Sequence, residues 1–154
     1  MKILIVYDTT SVKRNTEKVA VAISEVLKAK GHDVDCIYVN DADPANVKNY
    51  DGVLAGAPTQ ALRATIPIMQ FLDKLGKGEF TGKPAAAFDT QLQAWWSGNA
   101  AKGIEKKLEK LGFRIIMPHL VTYVENKTEE IHLKEGELEK AKKYAEDLAN
   151  KLQK

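Results

Sequence analysis

The stretch KILIVYDTTSVKRNTEKVA, residues 2–20, decides how the rest of the chain is read. Lys2 to Tyr7 form a nearly unbroken apolar run, as a strand buried on both faces requires; a strand covered on one face would alternate. Farther on, Val19, Ile23, Val26 and Leu27 recur at helical spacing, and Gly31 closes the pattern. The loop between strand and helix is crowded with hydroxyls, an amide and two cations. A plain turn needs only a glycine or an asparagine. Donors gathered where a helix begins predict a seat for an anion, because free first-turn amides and the helix dipole both favour negative charge there. Asn15 is expected to be the N-cap, with Glu17 in the first turn. The loop lacks both the glycine–lysine–threonine pattern of a P-loop and a GxGxxG fingerprint.

The same alternation continues. DVDCIYV (33–39) reads as a strand near an edge, and DADPANVKNY (41–50) as loop and turn. GVLAGAPT (52–59) is a small, buried strand, followed by a helix with Met69, Leu72 and Leu75 on one face. KPAAAFDT (83–90) repeats the strand pattern. SGNAAKGIEKKLEKLG (97–112) is a helix with Ala101, Ile104, Leu108 and Leu111 inward. FRIIMPHLVTYV (113–124) is a last strand interrupted at Pro118, and 135–154 form a charged amphipathic helix. About five strands alternating with four or five helices predict an α/β fold, a parallel sheet with helices on both faces and right-handed crossovers. No linker or repeat interrupts the pattern, so one domain is expected over 1–154.

Bulk properties narrow the classes. The chain has 154 residues, 44% of them hydrophobic, enough for a substantial core. No apolar run approaches the ~20 residues of a membrane span, and MKILIVYD reads as a strand rather than a signal peptide. A net charge of +2 with interleaved signs gives no argument for nucleic acid. The single cysteine, Cys36, excludes an internal disulfide and a thiol cluster, and fits a reducing, cytoplasmic setting.

In a parallel sheet the strand C-terminal ends share one edge, and ligands bind there at the point where strand order reverses. DTTSVKRNT, APTQALRAT and DTQLQAWWSGN all fall on that edge, whereas the opposite edge carries the plain turns KAKGHD and KLGKGEFTGK. Trp95 and Trp96, beside Ser97 and Gly98, sit at a loop-to-helix entry and offer an indole face to a flat ligand. Pro58-Thr59 forms a third wall.

These three loops, with YD(T)…NTEKVA, GAPT, KPAAAFDT…WSGNAAKGIEKKLEKLGF and LKEGELEKAKKYAEDLA in the same order, resemble the flavodoxin-like family over nearly the whole chain. They are especially similar to the flavodoxin domains of prokaryotic flavoproteins that reduce oxygen or nitric oxide. The resemblance, not the spacing, implies a three-layer sandwich with a five-stranded parallel sheet of order 2-1-3-4-5 and FMN as cofactor. It implies that Thr9, Ser11, Asn15 and Thr16 hold the phosphate, with Thr10 in the same loop. Pro58, Thr59 and Gln60 would line one side of the isoalloxazine, Asp89, Thr90 and Gln91 would approach its polar edge, and Trp95 or Trp96 would lie on the ring. This chain departs from the family where Val12-Lys13-Arg14 replaces a glycine before Asn-Thr; Arg14 or Lys13 is expected to pair with the phosphate directly. It also lacks an aromatic on the Pro-Thr loop, and it is slightly basic where many flavodoxins are acidic.

The leading reading is an FMN-binding electron-transfer protein serving redox partner proteins, without nucleic-acid or membrane insertion. The cofactor carries that chemistry, so no acid, base or nucleophile is needed. Two alternatives stay open: an FMN-dependent NAD(P)H:quinone-type reductase, and a flavodoxin-fold protein that has lost FMN. His32, His119 and His132 are scattered, the last in a polar loop. Asp8 and Asp89 read as polar strand ends rather than a metal pair, and no metal-ligand spacing is present.

Overall fold

Strand β1 (Lys2–Tyr7) runs through the middle of the molecule and is buried from Ile3 onward. Ile3, Ile5 and Tyr7 face one core, and Leu4 and Val6 the other, which is why the run cannot alternate. The computed structural model describes residues 1–94, 96–127 and 130–153; Trp95 therefore lies outside the described residues.

From β1 the chain passes into α1 (Asn15–Ala29), β2 (Asp33–Tyr38) and two short 3-10 turns, Val39–Asp41 and Pro44–Asn49. It continues through β3 (Gly52–Gln60), β4 (Arg63–Ala64) and α2 (Ile66–Asp73), then β5 (Pro84–Leu92) and α3 (Ala100–Lys110). The last elements are β6 (Arg114–Ile115), β7 (Leu120–Lys127), β8 (Glu130–Leu133) and α4 (Glu137–Leu152). The main path of the sheet is β2-β1-β3-β5-β7-β8. Pairing is parallel as far as β7. This is the expected order of five parallel strands, with additions. The short β4 folds back on β3, and β6 pairs β5 before Pro118 breaks the strand. The antiparallel β8 extends the sheet beyond β7. His132, expected in a loop, lies in β8 opposite Glu125.

Helices α1 and α4 cover one face through Val19, Ile23, Leu27, Ala141, Ala145 and Leu148. The other face receives Ile68 and Leu72 of α2 with Ala101, Ile104 and Leu108 of α3. Small residues let the sheet pack tightly: a Cβ at Gly56 would lie 2.1 Å from the Phe88 ring. The C-terminal ends of β1, β3 and β5 point to one edge, and the N-termini of α1, α2 and α3 start there.

Candidate functional site

Two of those helix N-termini are built in opposite ways. At α3 the first amides are closed from inside the protein: Ala100 N–H donates to Thr59 Oγ1 (2.9 Å), Ala101 N–H to Asp89 Oδ2 (3.1 Å) and Lys102 N–H to the N-cap side chain of Asn99 (3.0 Å). At α1 the cap position is Arg14, in a left-handed conformation (φ 52°), with no side-chain capping bond. The sequence reading made Asn15 the cap, but Asn15 is the first helical residue. Its backbone N–H reaches Ser11 Oγ at 3.3 Å, and its side-chain amide donates to Ile131 O on β8 at 2.9 Å. Ser11 thus takes one first-turn amide of α1, and among the described residues those of Thr16 and Glu17 are left over, as at an uncapped helix start.

A pocket of about 150 Å³ opens at this helix end. Thr10 and Ser11 contribute from the loop, and Asn15 and Thr16 from the helix. Pro58, Thr59 and Gln60 of β3 and Thr90 and Gln91 of β5 form the facing walls. The walls are tied together: Thr16 and Thr90 share a hydroxyl contact of 2.8 Å, and Gln60 Nε2 donates to Thr10 Oγ1 at 2.6 Å. Leu92, Val124 and Ile131 complete the lining. None of these three is singled out by the sequence; Ile131 carries no signal there, because the polar stretch around it reads as a loop, whereas the structure forms β8.

Other expected residues do not reach the pocket. Thr9 is buried just beneath the loop, and its hydroxyl has no partner among the described residues. Trp96 is 56% exposed and lies outside the lining. Asp89 is fully buried behind Thr59 and Gln91, not open to a ligand.

Both cations are engaged by carboxylates of the protein itself. Arg14 forks onto Glu17, with Nη2 to Oε1 at 2.9 Å, and Tyr7 O–H donates to the same Oε1 at 2.5 Å. Those bonds from Arg14 and Tyr7 hold the Glu17 pKa down at about 2, while burial of the phenol beside Glu17 pushes Tyr7 up. Lys13 pairs with Glu130 of β8 at 3.2 Å. Carboxylates already on the protein attract both side chains more directly than the pocket does.

What remains in the pocket is a set of neutral donors at an uncapped helix end. The hydroxyls of Thr10 and Ser11 and the free first-turn amides suit a phosphate. FMN fits this donor set at its phosphate end. The volume is below the several hundred Å³ typical of a whole ligand pocket, so the pocket suits the phosphate and its chain, with a flat ring left to the apolar rim. Asp8 and Asp89 do not form a pair: Asp8 is held by Thr65 O–H and Thr9 N–H. Among the described residues no group of histidines, cysteines and carboxylates is placed to hold a metal ion.

Comparisons with known proteins follow this geometry. The family model described as Flavodoxin matches residues 5–139. A curated relative, the probable flavodoxin 1 of Bacillus subtilis (strain 168), is 40% identical over 58 residues, a match spanning 38% of this chain and 35% of that relative. A flavodoxin from the domain Archaea superposes with a TM-score of 0.82 at 26% identity, covering 100% of both chains. Oxidised flavodoxin 2 from Bacillus cereus gives 0.82 at 26% identity over 98% of this chain and 99% of that one. The rubredoxin:oxygen oxidoreductase of Desulfovibrio gigas gives 0.79 at 22% identity over 99% of this chain but 36% of that chain, a likeness of fold.

Proposed function

Because the chain belongs to the flavodoxin family, whose members bind FMN, we propose that it binds FMN and carries electrons between redox partner proteins. It acts as a single domain in the cytoplasm. The observation that carries this reading is the contrast at the sheet edge. One helix N-terminus is closed by Asp89, while the other keeps the Thr16 and Glu17 amides free, beside the hydroxyls of Thr10 and Ser11. Bound FMN would supply the chemistry, accepting and releasing electrons. The protein's part is to bind and orient it. Thr10, Ser11, Asn15 and Thr16 receive the phosphate, Pro58, Thr59 and Gln60 border the chain leading to the ring, Thr90 and Gln91 face its polar edge, and Trp96 shields it on the rim. No charged side chain enters this scheme at the phosphate; neutral donors and the α1 dipole hold it.

Titration of the flavin-free protein with FMN and with riboflavin, followed by flavin and tryptophan fluorescence, tests the proposal. Tight FMN binding with much weaker riboflavin binding is the expected result. Equal binding of the two would remove the phosphate seat from the reading. Binding of neither would favour a flavodoxin fold put to another use, a reading supported by the withdrawal of Lys13 and Arg14 onto carboxylates. No helix among the described residues is long and apolar enough to cross a membrane.

A further inference from the structure

Asp89 sits at the centre of a small buried network on the α3 side of the pocket. Its Oδ2 accepts three hydrogen bonds, from Thr59 Oγ1 (3.2 Å), Gln91 Nε2 (2.9 Å) and Ala101 N–H (3.1 Å). Its Oδ1 is buried with no partner among the described residues. Both side chains held by Oδ2 line the pocket. Gln91 is oriented by this bond: its amide nitrogen points to Asp89, and its carbonyl oxygen lies 3.4 Å from Ser97 Oγ, whose proton has closer acceptors in the Ala94 and Leu92 carbonyls. Thr59 is oriented the same way, donating to Asp89 while accepting from Ala100 N–H.

We infer that Asp89 is a positioning residue that locks Thr59 and Gln91 into the pocket wall, and that its partnerless oxygen is a fixed negative pole behind that wall which lowers the reduction potential of the flavin. The second half rests on the FMN reading; the first does not. A charge in a buried, low-dielectric setting acts over a longer range than one in water. Its sign opposes the addition of an electron nearby. The three donors compensate Oδ2, and Oδ1 is left bare. Burial pushes the Asp89 pKa up, against the pull of Ala101 N–H, Gln91, Thr59 and the nearby His119. His119 is itself paired with Glu105 of α3 at 3.2 Å, and exposed Lys102 follows Ala101 in the first turn of α3. β3 and β5 meet the carboxylate through Thr59 and Gln91, which carry no charge; on β7, Thr122 O–H donates to the Asp89 backbone carbonyl at 2.6 Å.

The test compares wild type, Asp89→Asn and Asp89→Ala in two ways. The midpoint potential of the FMN-loaded protein is measured by spectroelectrochemistry from pH 5 to 9. Asp89→Asn, close in shape, is expected to raise the potential at pH 9, with the gap to wild type closing as the pH falls and the wild-type carboxylate takes up its proton. Equal potentials across the range would overturn the negative pole. In the flavin-free protein, NMR is expected to show the Gln91 side-chain amide protons, which are held by Asp89, exchanging faster in Asp89→Ala while Leu108 N–H keeps its protection. Unchanged exchange at the Gln91 side chain would overturn the positioning role. If wild type binds no FMN, the potential half falls with the reading it rests on, and the Gln91 result alone decides the first half.

Discussion

Helices α1 and α3 begin on the same edge of the same sheet, yet only one of them is open to an anion from outside. At α3, Thr59, Asp89 and Asn99 take one amide each, so the dipole is already answered by a carboxylate that folds with the protein. At α1 a left-handed arginine stands at the cap, and its charge is turned toward Glu17. Position on the sheet edge selects the loops that could bind a ligand; how far the helix amides are already committed decides which of them does. The difference also explains why acidic Asp89 and the phosphate seat can coexist a strand apart: each negative group has its own helix end.

The contrast breaks most visibly at Ser11, whose hydroxyl lines the pocket. Ser11→Ala removes a donor to a charged group worth ~1.5–3 kcal/mol. FMN affinity should then fall about tenfold to a hundredfold in a fluorescence titration, with riboflavin unaffected. A parallel loss for both flavins would place the hydroxyl's role elsewhere. At the closed end, Asn99→Ala should cost about 1 kcal/mol of stability, as loss of an N-cap does, with the preference for FMN over riboflavin unchanged. Chemical denaturation and the same titration check this. A change in that preference would mean that the two helix ends are not independent.

The smallest effect concerns the brace that turns Arg14 away. Folding lowers the Glu17 pKa from 4.5 to about 2. Its stabilising contribution is therefore complete above the unfolded value and is lost as the pH falls through the folded one. Wild type should exceed Glu17→Gln in stability at pH 6, and the two should converge near pH 2. A difference that persists at pH 2 would show that Glu17 acts through packing and not through its charge.

Much of this was legible in the sequence because the strongest signals are local. The apolar run of β1, the stripe of Ala101, Ile104 and Leu108, and Pro118 between β6 and β7 each follow from burial or backbone chemistry within a few residues. The pairing of Thr16 with Thr90 across the pocket also agrees with loops read as meeting on one edge. The misses come from contacts that sequence does not display. The β3–β4 hairpin turns through Ala61 and Leu62 at φ 48° and 71°, where glycine or asparagine would have been the signal. Tertiary contact pins that turn instead: Leu62 bridges Gly98, and a Cβ at Gly98 would lie 2.3 Å from the Leu62 carbonyl oxygen. Arg14 and Lys13 looked like phosphate ligands because their carboxylate partners could not be weighed; one of those, Glu130, lies on a strand that was not foreseen. Asp89 was read as a ligand contact when it is one layer behind the wall.

The bond from Asn15 to Ile131 joins residues 116 positions apart. A chain is made from its N-terminus at roughly 5–20 residues per second, so the anion loop leaves the ribosome many seconds before the strand that closes its pocket. Closure of the pocket therefore belongs to the final stage of biosynthesis, and a nascent chain stalled before β8 would have its loop tied to β3 and β5 but one wall missing.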